Sequence, residues 1–320
     1  MIMSTMRSTH VLDAGKTRAL PQFAATFQEQ THMTFVVSGV SGHTGSVVAH
    51  GLLDQGQPVR VIVRDAAKAR AFQERGAEVA LADLTDEAAL ARALDGARGA
   101  YLLIPPNMGV PDFRAYQSQV TDSIVGALEK SPVPHVVFLS SVGAHQVGGT
   151  GPIARIHDAE KALSALKKTR TTFIRAAYFM ENLGASLATL DQGFIGSFTP
   201  KNFEQDMVAT VDIGRLATRA LLEGPGRQSI LELSGPEKYS SASVATVLSR
   251  IVGKPISVAE APVEAMAGAL EGFGFTPDLA ALYQEMTSGL LNGRVAFEGG
   301  HESVRGATGV EAVLRGLLGK

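Results

Sequence analysis

The sequence predicts an α/β fold: a doubly wound parallel sheet with a smaller, mainly helical C-terminal lobe. Two observations carry this prediction. From Thr34 onward, short β-branched runs alternate with stretches whose apolar residues recur at helical spacing, the pattern of successive βαβ units. The first strand also leads directly into the glycine-rich segment Gly39-Val40-Ser41-Gly42-His43-Thr44-Gly45, which is followed by an apolar-faced helix. A chain of 320 residues has room for one main core and one minor lobe.

Residues 1–32 mix polar residues with scattered Leu, Phe and Ala and show no sustained period, so they read as a flexible N-terminal extension. A tag, an upstream start ahead of Met33 and a genuine arm are all compatible with that composition. Strands are expected over 34–39, 59–63, 78–82, 99–104, 135–140 and 171–175. Helices are expected over 44–53, over 86–94 with acidic residues in the first turn, and along Phe113, Tyr116, Val120, Ile124 and Leu128. A further helical run carries Ile156, Leu163 and Leu166. Another opens at Ser240 or Ser241 and stops at Gly253, a residue that tolerates the left-handed cap. Beyond about 255 the chain reads as mainly helical, with a glycine-rich loop from Gly299 to Gly309 and a last helix carrying Val313, Leu314 and Leu317. The expected division is a sheet core over 33–182, with the remaining sheet elements and the substrate lobe over 183–320.

Composition excludes several classes of function. A net charge of −2 provides no positive field for a nucleic-acid backbone. The chain has no cysteine, which removes disulfides, thiolate nucleophiles and Cys-ligated zinc. No apolar run approaches the roughly 18 to 20 residues that span a bilayer, and the N-terminus lacks a signal-peptide core, so no membrane association and a cytoplasmic location are expected. Neither the Gly-x-x-x-x-Gly-Lys-Ser/Thr loop of nucleoside triphosphate sites nor a His-Glu-x-x-His zinc pair occurs, and the eight histidines are scattered.

The glycine segment has the context that a dinucleotide-phosphate loop requires. Gly39 permits a tight turn, Gly42 lets the backbone approach a pyrophosphate, and Gly45 lets the helix pack close to the sheet. The helix then presents free N–H groups to the anion. This predicts an NAD(P)(H) site of Rossmann type. At the end of the second strand stands Val63-Arg64-Asp65. The Arg64 guanidinium suits a ribose 2′-phosphate and Lys68 offers a second cation, which favours NADP(H) over NAD(H). Both cations are also compatible with plain solvated charges. Asp83, after the third strand, stands where a carboxylate meets an adenine amino group, and a strand-end cap would use it equally well.

With Gly39–Gly45, Val63-Arg64-Asp65, Asp83-Leu84, Ser140-Ser141-Val142-Gly143 and Arg175 through Phe179-Met180-Glu181-Asn182, the chain resembles the short-chain dehydrogenase/reductase superfamily, in its atypical NmrA-like branch. Val211-Asp212-Ile213-Gly214 and Ser234-Gly235-Pro236-Glu237 extend the resemblance, whereas Ala176 stands where the family often has proline. The resemblance implies cofactor contacts from Gly39, Ser41, Gly42, His43, Thr44, Gly45, Arg64, Lys68, Asp83, Leu84, Ile104, Pro105, Lys161, Tyr178 and Phe179. It also implies an acceptor pocket with Asn107, Tyr178, Phe179 and Asn182, while the aromatic and Met residues of 178–182 fit a core equally well and Asn182 a helix cap.

Ordinary members of the superfamily use a Tyr-x-x-x-Lys pair, in which lysine lowers the tyrosine pKa. None of the five tyrosines here is followed by lysine four positions later. In the expected place stands His157-Asp158-Ala159-Glu160-Lys161, whose i, i+4 spacing sets His157 and Lys161 on one helix face. The resemblance makes Lys161 the ribose-holding lysine. His157 either donates a proton or lines the pocket, and Ser141 either binds the substrate oxygen or satisfies loop backbone. Two functions fit: a reductase passing hydride to a quinone, enone or similar small acceptor that needs no strong acid at the moment of transfer, or a non-catalytic dinucleotide redox sensor. Monomer and homodimer both remain open.

Overall fold

The structure is a computed structural model that describes residues 34–226 and 228–320; the expected N-terminal extension lies outside the described residues. The chain opens with β1 (Thr34–Val37), α1 (His43–Asp54), β2 (Val59–Val63), α2 (Arg70–Gln73), β3 (Glu78–Leu81) and α3 (Glu87–Leu94). It continues with β4 (Ala97–Leu102), α4 (Phe113–Lys130), β5 (His135–Ser141), α5 (Ile153–Ser164) and β6 (Arg170–Ala176). These six strands and their helices lie within a few residues of the positions expected from periodicity.

After β6 the path leaves the main sheet. It runs through β7 (Tyr178–Phe179), a 3₁₀ segment (Met180–Gln192), β8 (Phe194–Ser197) and β9 (Gln205–Val208), then through α6 (Thr210–Glu223) and β10 (Ser229–Ser234). Next come β11 (Lys238–Tyr239), α7 (Ser241–Val252), β12 (Ser257–Glu260), α8 (Met266–Gly272), α9 (Pro277–Leu291), β13 (Glu302–Arg305) and α10 (Val310–Leu318).

The main sheet has eight strands in the order β13-β10-β6-β5-β4-β1-β2-β3, and every neighbouring pair is parallel. The order reverses between β1 and β4, which places a ligand crevice at the carboxyl ends of those strands. Strand residues alternate between the two faces. Phe35 and Val37 join α1 and α6 in one apolar layer, while Val36 joins α3, α4 and α5 in the other. The α1–α6 contact is close because both helices carry glycine there. A Cβ on Gly214 would stand 2.5 Å from Val47 Cβ, and one on Gly51 would stand 2.9 Å from the Thr218 hydroxyl. This gives Val211-Asp212-Ile213-Gly214 a packing role.

The expected loop between Gly299 and Gly309 contains a strand. β13 pairs in parallel with β10 at the sheet edge, with Leu231 opposite Glu302 and Ser234 opposite Arg305. Glu302-Ser303-Val304-Arg305 has no clear alternation of apolar residues, so the pairing comes from the neighbouring edge and not from local pattern. β12 likewise interrupts the expected helical tail by pairing with β8. A separate apolar cluster unites Met180, Ile195, Met207, Val244, Leu248, Val310 and Leu314, which is the core of the smaller lobe. Its helix α7 opens as expected, with Ser240 as N-cap in a capping box with Ser243 and Gly253 as a left-handed C-cap. Among the described residues no helix is long and apolar enough to cross a membrane.

Candidate active site

The glycine loop sits at the reversal point and is built from both sides of it. Gly39 has φ +66°, the left-handed conformation the turn needs, and its carbonyl accepts from Gly42 N at 2.9 Å. A Cβ on Gly45 would stand 2.5 Å from the Gly39 carbonyl oxygen and would also collide with Ser38 O, so only glycine lets α1 lie this close to the strand. One residue tightens the whole cradle: Tyr101, fully buried on β4. Its carbonyl accepts from both Ser38 N (3.0 Å) and Ser38 Oγ (3.1 Å), and its hydroxyl donates to Thr44 Oγ1 at 3.0 Å. Burial holds the Tyr101 phenol well above its ordinary pKa, so it remains a donor.

The Thr44 side chain is therefore turned inward, and it is Ser41, Gly42 and His43 that are exposed at the tip. No side chain caps α1 at Gly42. The first-turn N–H groups of α1 thus lack both intrahelical and side-chain acceptors, and they point where an anion would sit. A loop turned by Gly39, Gly42 and Gly45, at an uncapped helix start, fits the pyrophosphate of a dinucleotide.

At the adenine end, Arg64 is exposed and its Nη1 lies 4.0 Å from Asp83 Oδ2. One oxygen of Asp65 accepts from Ala67 N at 2.9 Å and caps the 3₁₀ turn Ala66–Ala69, where Lys68 stands exposed. Asp83 Oδ1 accepts from Thr85 N (2.9 Å) and Thr85 Oγ1 (2.8 Å), so the strand-end cap role is real and Oδ2 is left facing Arg64. Tyr116, absent from the expected site, comes from α4 into the field of this pair. Burial raises its pKa, Asp83 raises it further and Arg64 opposes the rise. Leu84 is buried in the apolar layer and Ile104 packs against it, while Pro105 and Asn107 are half-buried in the following loop. There Asn107 Oδ1 accepts from Gly109 N at 3.3 Å.

At the other end, α5 presents His157 and Lys161 on one face. Lys161 is exposed. His157 is half-buried, and its Nδ1 donates to the Ala144 carbonyl at 2.9 Å. The two adjacent serines divide. Ser140 is buried and donates to Glu160 Oε1 at 2.5 Å, whereas Ser141 is half-buried and donates to Val142 O at 3.0 Å.

Glu160 belongs to a buried ion cluster that fixes α5. Arg175 Nε and Nη2 donate to its two oxygens at 3.0 and 2.7 Å, and Arg175 Nη1 donates to Glu298 at 2.6 Å. His301 Nε2 contacts the same Glu298 oxygen at 3.0 Å. The hydrogen bonds from Arg175 and His301 hold the Glu298 carboxyl below the usual range. Partners 123 residues apart leave no local signal.

Tyr178 and Phe179, just past β6, are half-buried. Burial pushes the Tyr178 hydroxyl up to about 12, with Tyr283 of α9 raising it further and the Asn182 side chain opposing the rise. Tyr283, which the sequence did not single out as a site residue, is also raised by burial. Glu181, in the same segment, serves structure: it accepts from Thr210 N at 2.9 and 3.0 Å and from Thr210 Oγ1 at 2.6 Å, capping α6. Among the described residues no cluster of metal-ligating side chains occurs.

Fold and cradle together define a Rossmann dinucleotide-binding protein that lacks the Tyr-x-x-x-Lys pair. The chain belongs to the NmrA-like family, whose model matches residues 31–289. It is 28% identical over 256 residues to NAD(P)H azoreductase of Xenophilus azovorans, covering 79% of this chain and 86% of that one. It is 26% identical over 263 residues to quinone oxidoreductase 2 of Escherichia coli (strain K12), covering 80% and 88%. The crystal structure of the NADPH-dependent quinone oxidoreductase of E. coli complexed with NADPH superposes with a TM-score of 0.70 at 22% identity, over 89% of this chain and all of that one. The triphenylmethane reductase of Citrobacter sp. complexed with NADP(H) gives 0.69 at 20% identity, over 88% and 99%. At these identities the structures speak to the fold.

Proposed function

We propose that this protein is an NADPH-dependent reductase that delivers hydride to a quinone, enone or similar small conjugated acceptor. The observation that carries it is the continuity of the site. A glycine cradle fit for a pyrophosphate sits at the carboxyl ends of β1 and β4, and the half-buried Tyr178 and Phe179 follow directly on the carboxyl end of β6 in the same parallel sheet. The names of the azoreductase and quinone oxidoreductase relatives agree with it.

The preference for NADP(H) rests on Arg64 and Asp65. Asp65 already accepts through one oxygen as a turn cap, while Arg64 has only a long, solvent-screened contact with Asp83 and can turn to a 2′-phosphate. When bound and reduced, the cofactor supplies the hydride. Lys161 holds the nicotinamide ribose from α5, whose position is set by Glu160 and Arg175. His157 fixes the loop after β5 through Ala144, lining the pocket. With no lysine-activated tyrosine in reach, acceptors whose reduced oxygen tolerates charge are the ones this site can serve.

The test is calorimetric titration with NADPH, NADP⁺, NADH and NAD⁺, followed by turnover of menadione. Tight NADPH, weaker NADH and quinone-dependent NADPH oxidation are expected. Binding restricted to the oxidised forms would overturn the reductase assignment and favour a redox sensor.

A further inference from the structure

Three buried polar side chains stand in one row across the main sheet. Ser140 on β5, Arg175 on β6 and Glu232 on β10 are paired in register, so all three leave the same face of the sheet. Helix α5 covers the first part of that row, where Glu160 meets Ser140 and Arg175. The segment between α9 and β13 covers the rest. Its Arg294 and Val295 N–H groups donate to the Gly289 carbonyl at 2.8 and 3.0 Å, and a Cβ on Gly143, in the loop after β5, would stand 3.2 Å from Val295 Cα. Further on, Gly299 N donates to Glu232 Oε1 at 3.0 Å. Glu298 is thus presented to Arg175 Nη1, at 2.6 Å, from a segment fastened on both sides.

We propose that Glu298 is a positioning residue for the cofactor: through Arg175 and Glu160 it sets the rotation of α5 about its axis, and with it the place from which Lys161 reaches the nicotinamide ribose. This rests on the role given to Lys161 above. Helix α5 packs on the sheet through Ala159 and Leu163, and apolar contacts have no preferred direction. Glu160 is the one polar residue that the helix buries. Its oxygens receive Ser140 Oγ at 2.5 Å, Arg175 Nε at 3.0 Å and Arg175 Nη2 at 2.7 Å, and a charge-assisted fork of this kind is directional. With Glu160 as its only partner, the guanidinium could slide along one carboxylate. Glu298 on the Nη1 side fixes its plane and keeps Nε and Nη2 aimed at α5. Lys161 directly follows Glu160 and shares a helix face with His157, whose bond to Ala144 turns that face toward the loop after β5. Lys161 is exposed and makes no ion pair among the described residues, so the helix that carries it decides where its ammonium stands.

Calorimetric titration of the full chain with NADPH, and with NADP⁺ as a second ligand, tests this in a set of variants. Lys161→Ala should weaken NADPH binding about tenfold. Glu298→Ala should weaken it about threefold to fivefold, and Glu298→Gln, whose amide oxygen still accepts from Arg175, should restore it to within about twofold. Should Glu298→Ala not fold, Glu298→Asp, which withdraws the carboxylate by one methylene, is expected to shift affinity in the same direction. In the Lys161→Ala background Glu298→Ala should have no further effect on affinity, because the contact it positions is gone. Glu232→Met frees the same segment at Gly299 without touching Arg175, and its affinity should match wild type. An equal loss in Glu232→Met would make Glu298 a mere fastening of the segment and overturn the proposal. Additive losses in the double variant, or wild-type affinity in Glu298→Ala or in Lys161→Ala, would also overturn it. A wild type that binds NADPH without reducing menadione would remove the reductase function and leave these affinities to decide the role of Glu298, whereas a wild type that binds neither dinucleotide would overturn both.

Discussion

Replacing Gly45 by alanine tests the cradle with one methyl group. The added Cβ would stand 2.5 Å from the Gly39 carbonyl carbon and oxygen, both backbone atoms that cannot swing aside, whereas ordinary contact begins at 3.4 Å. Relief requires α1 to retreat by roughly 1 Å, an overpacking cost of about 1–3 kcal/mol. Alanine's better helix propensity returns up to about 1 kcal/mol, so the net loss of stability is about 1 kcal/mol, equivalent to a few degrees in Tm. Function should suffer more. The first-turn N–H groups of α1 move with the helix, and losing one hydrogen bond to a charged phosphate is worth about 1.5–3 kcal/mol. NADPH affinity should therefore fall roughly tenfold to a hundredfold. Calorimetric titration and a melting curve on the same preparation measure both effects. Gly316→Ala is the control: this exposed α10 glycine has nothing within 4 Å of its virtual Cβ, so alanine there should stabilise slightly and leave binding untouched. Wild-type NADPH affinity in Gly45→Ala would refute the argument that close helix approach builds the phosphate seat.

Three further outcomes follow from the surrounding structure. Arg175→Met leaves Glu160 buried with Ser140 as its remaining described partner and should cost about 3–5 kcal/mol in urea unfolding, part of it recovered in the double variant with Glu160→Gln. Glu181→Ala removes the carboxylate that caps α6 at Thr210 and should lower stability by about 1–2 kcal/mol, read as a drop in Tm without a change in NADPH affinity. Because Arg175 and His301 depress the folded-state pKa of Glu298, its contribution is present above the ordinary carboxylate value and lost as pH falls through the lower folded one. Tm should therefore decline between about pH 5 and pH 3 less steeply in Glu298→Gln than in wild type.

Local chemistry made much of this molecule readable in one dimension. Apolar period distinguished strands from helices through β6, because each of those segments buries a stripe or a face fixed by its own residues. The glycine loop was equally legible, since turn conformation and close packing demand glycine wherever they occur. The absence of lysine four positions after any tyrosine was likewise a plain fact of sequence. Other assignments needed the third dimension. Asp65 and Arg64 are neighbours in sequence, yet only the structure shows one carboxylate capping a turn and one guanidinium left outside. Tyr101 read as an ordinary strand residue until its two hydrogen-bonding groups met Ser38 and Thr44 across the sheet.

The sequence by itself determined the doubly wound sheet, the dinucleotide cradle and the missing acid, all set by spacing within some twenty residues. The tertiary structure alone decided that Glu302–Arg305 is an edge strand and that Arg175 is clamped between Glu160 and Glu298. Each of those depends on partners tens to more than a hundred residues away, and no local propensity encodes a contact whose other half is supplied by the folded chain.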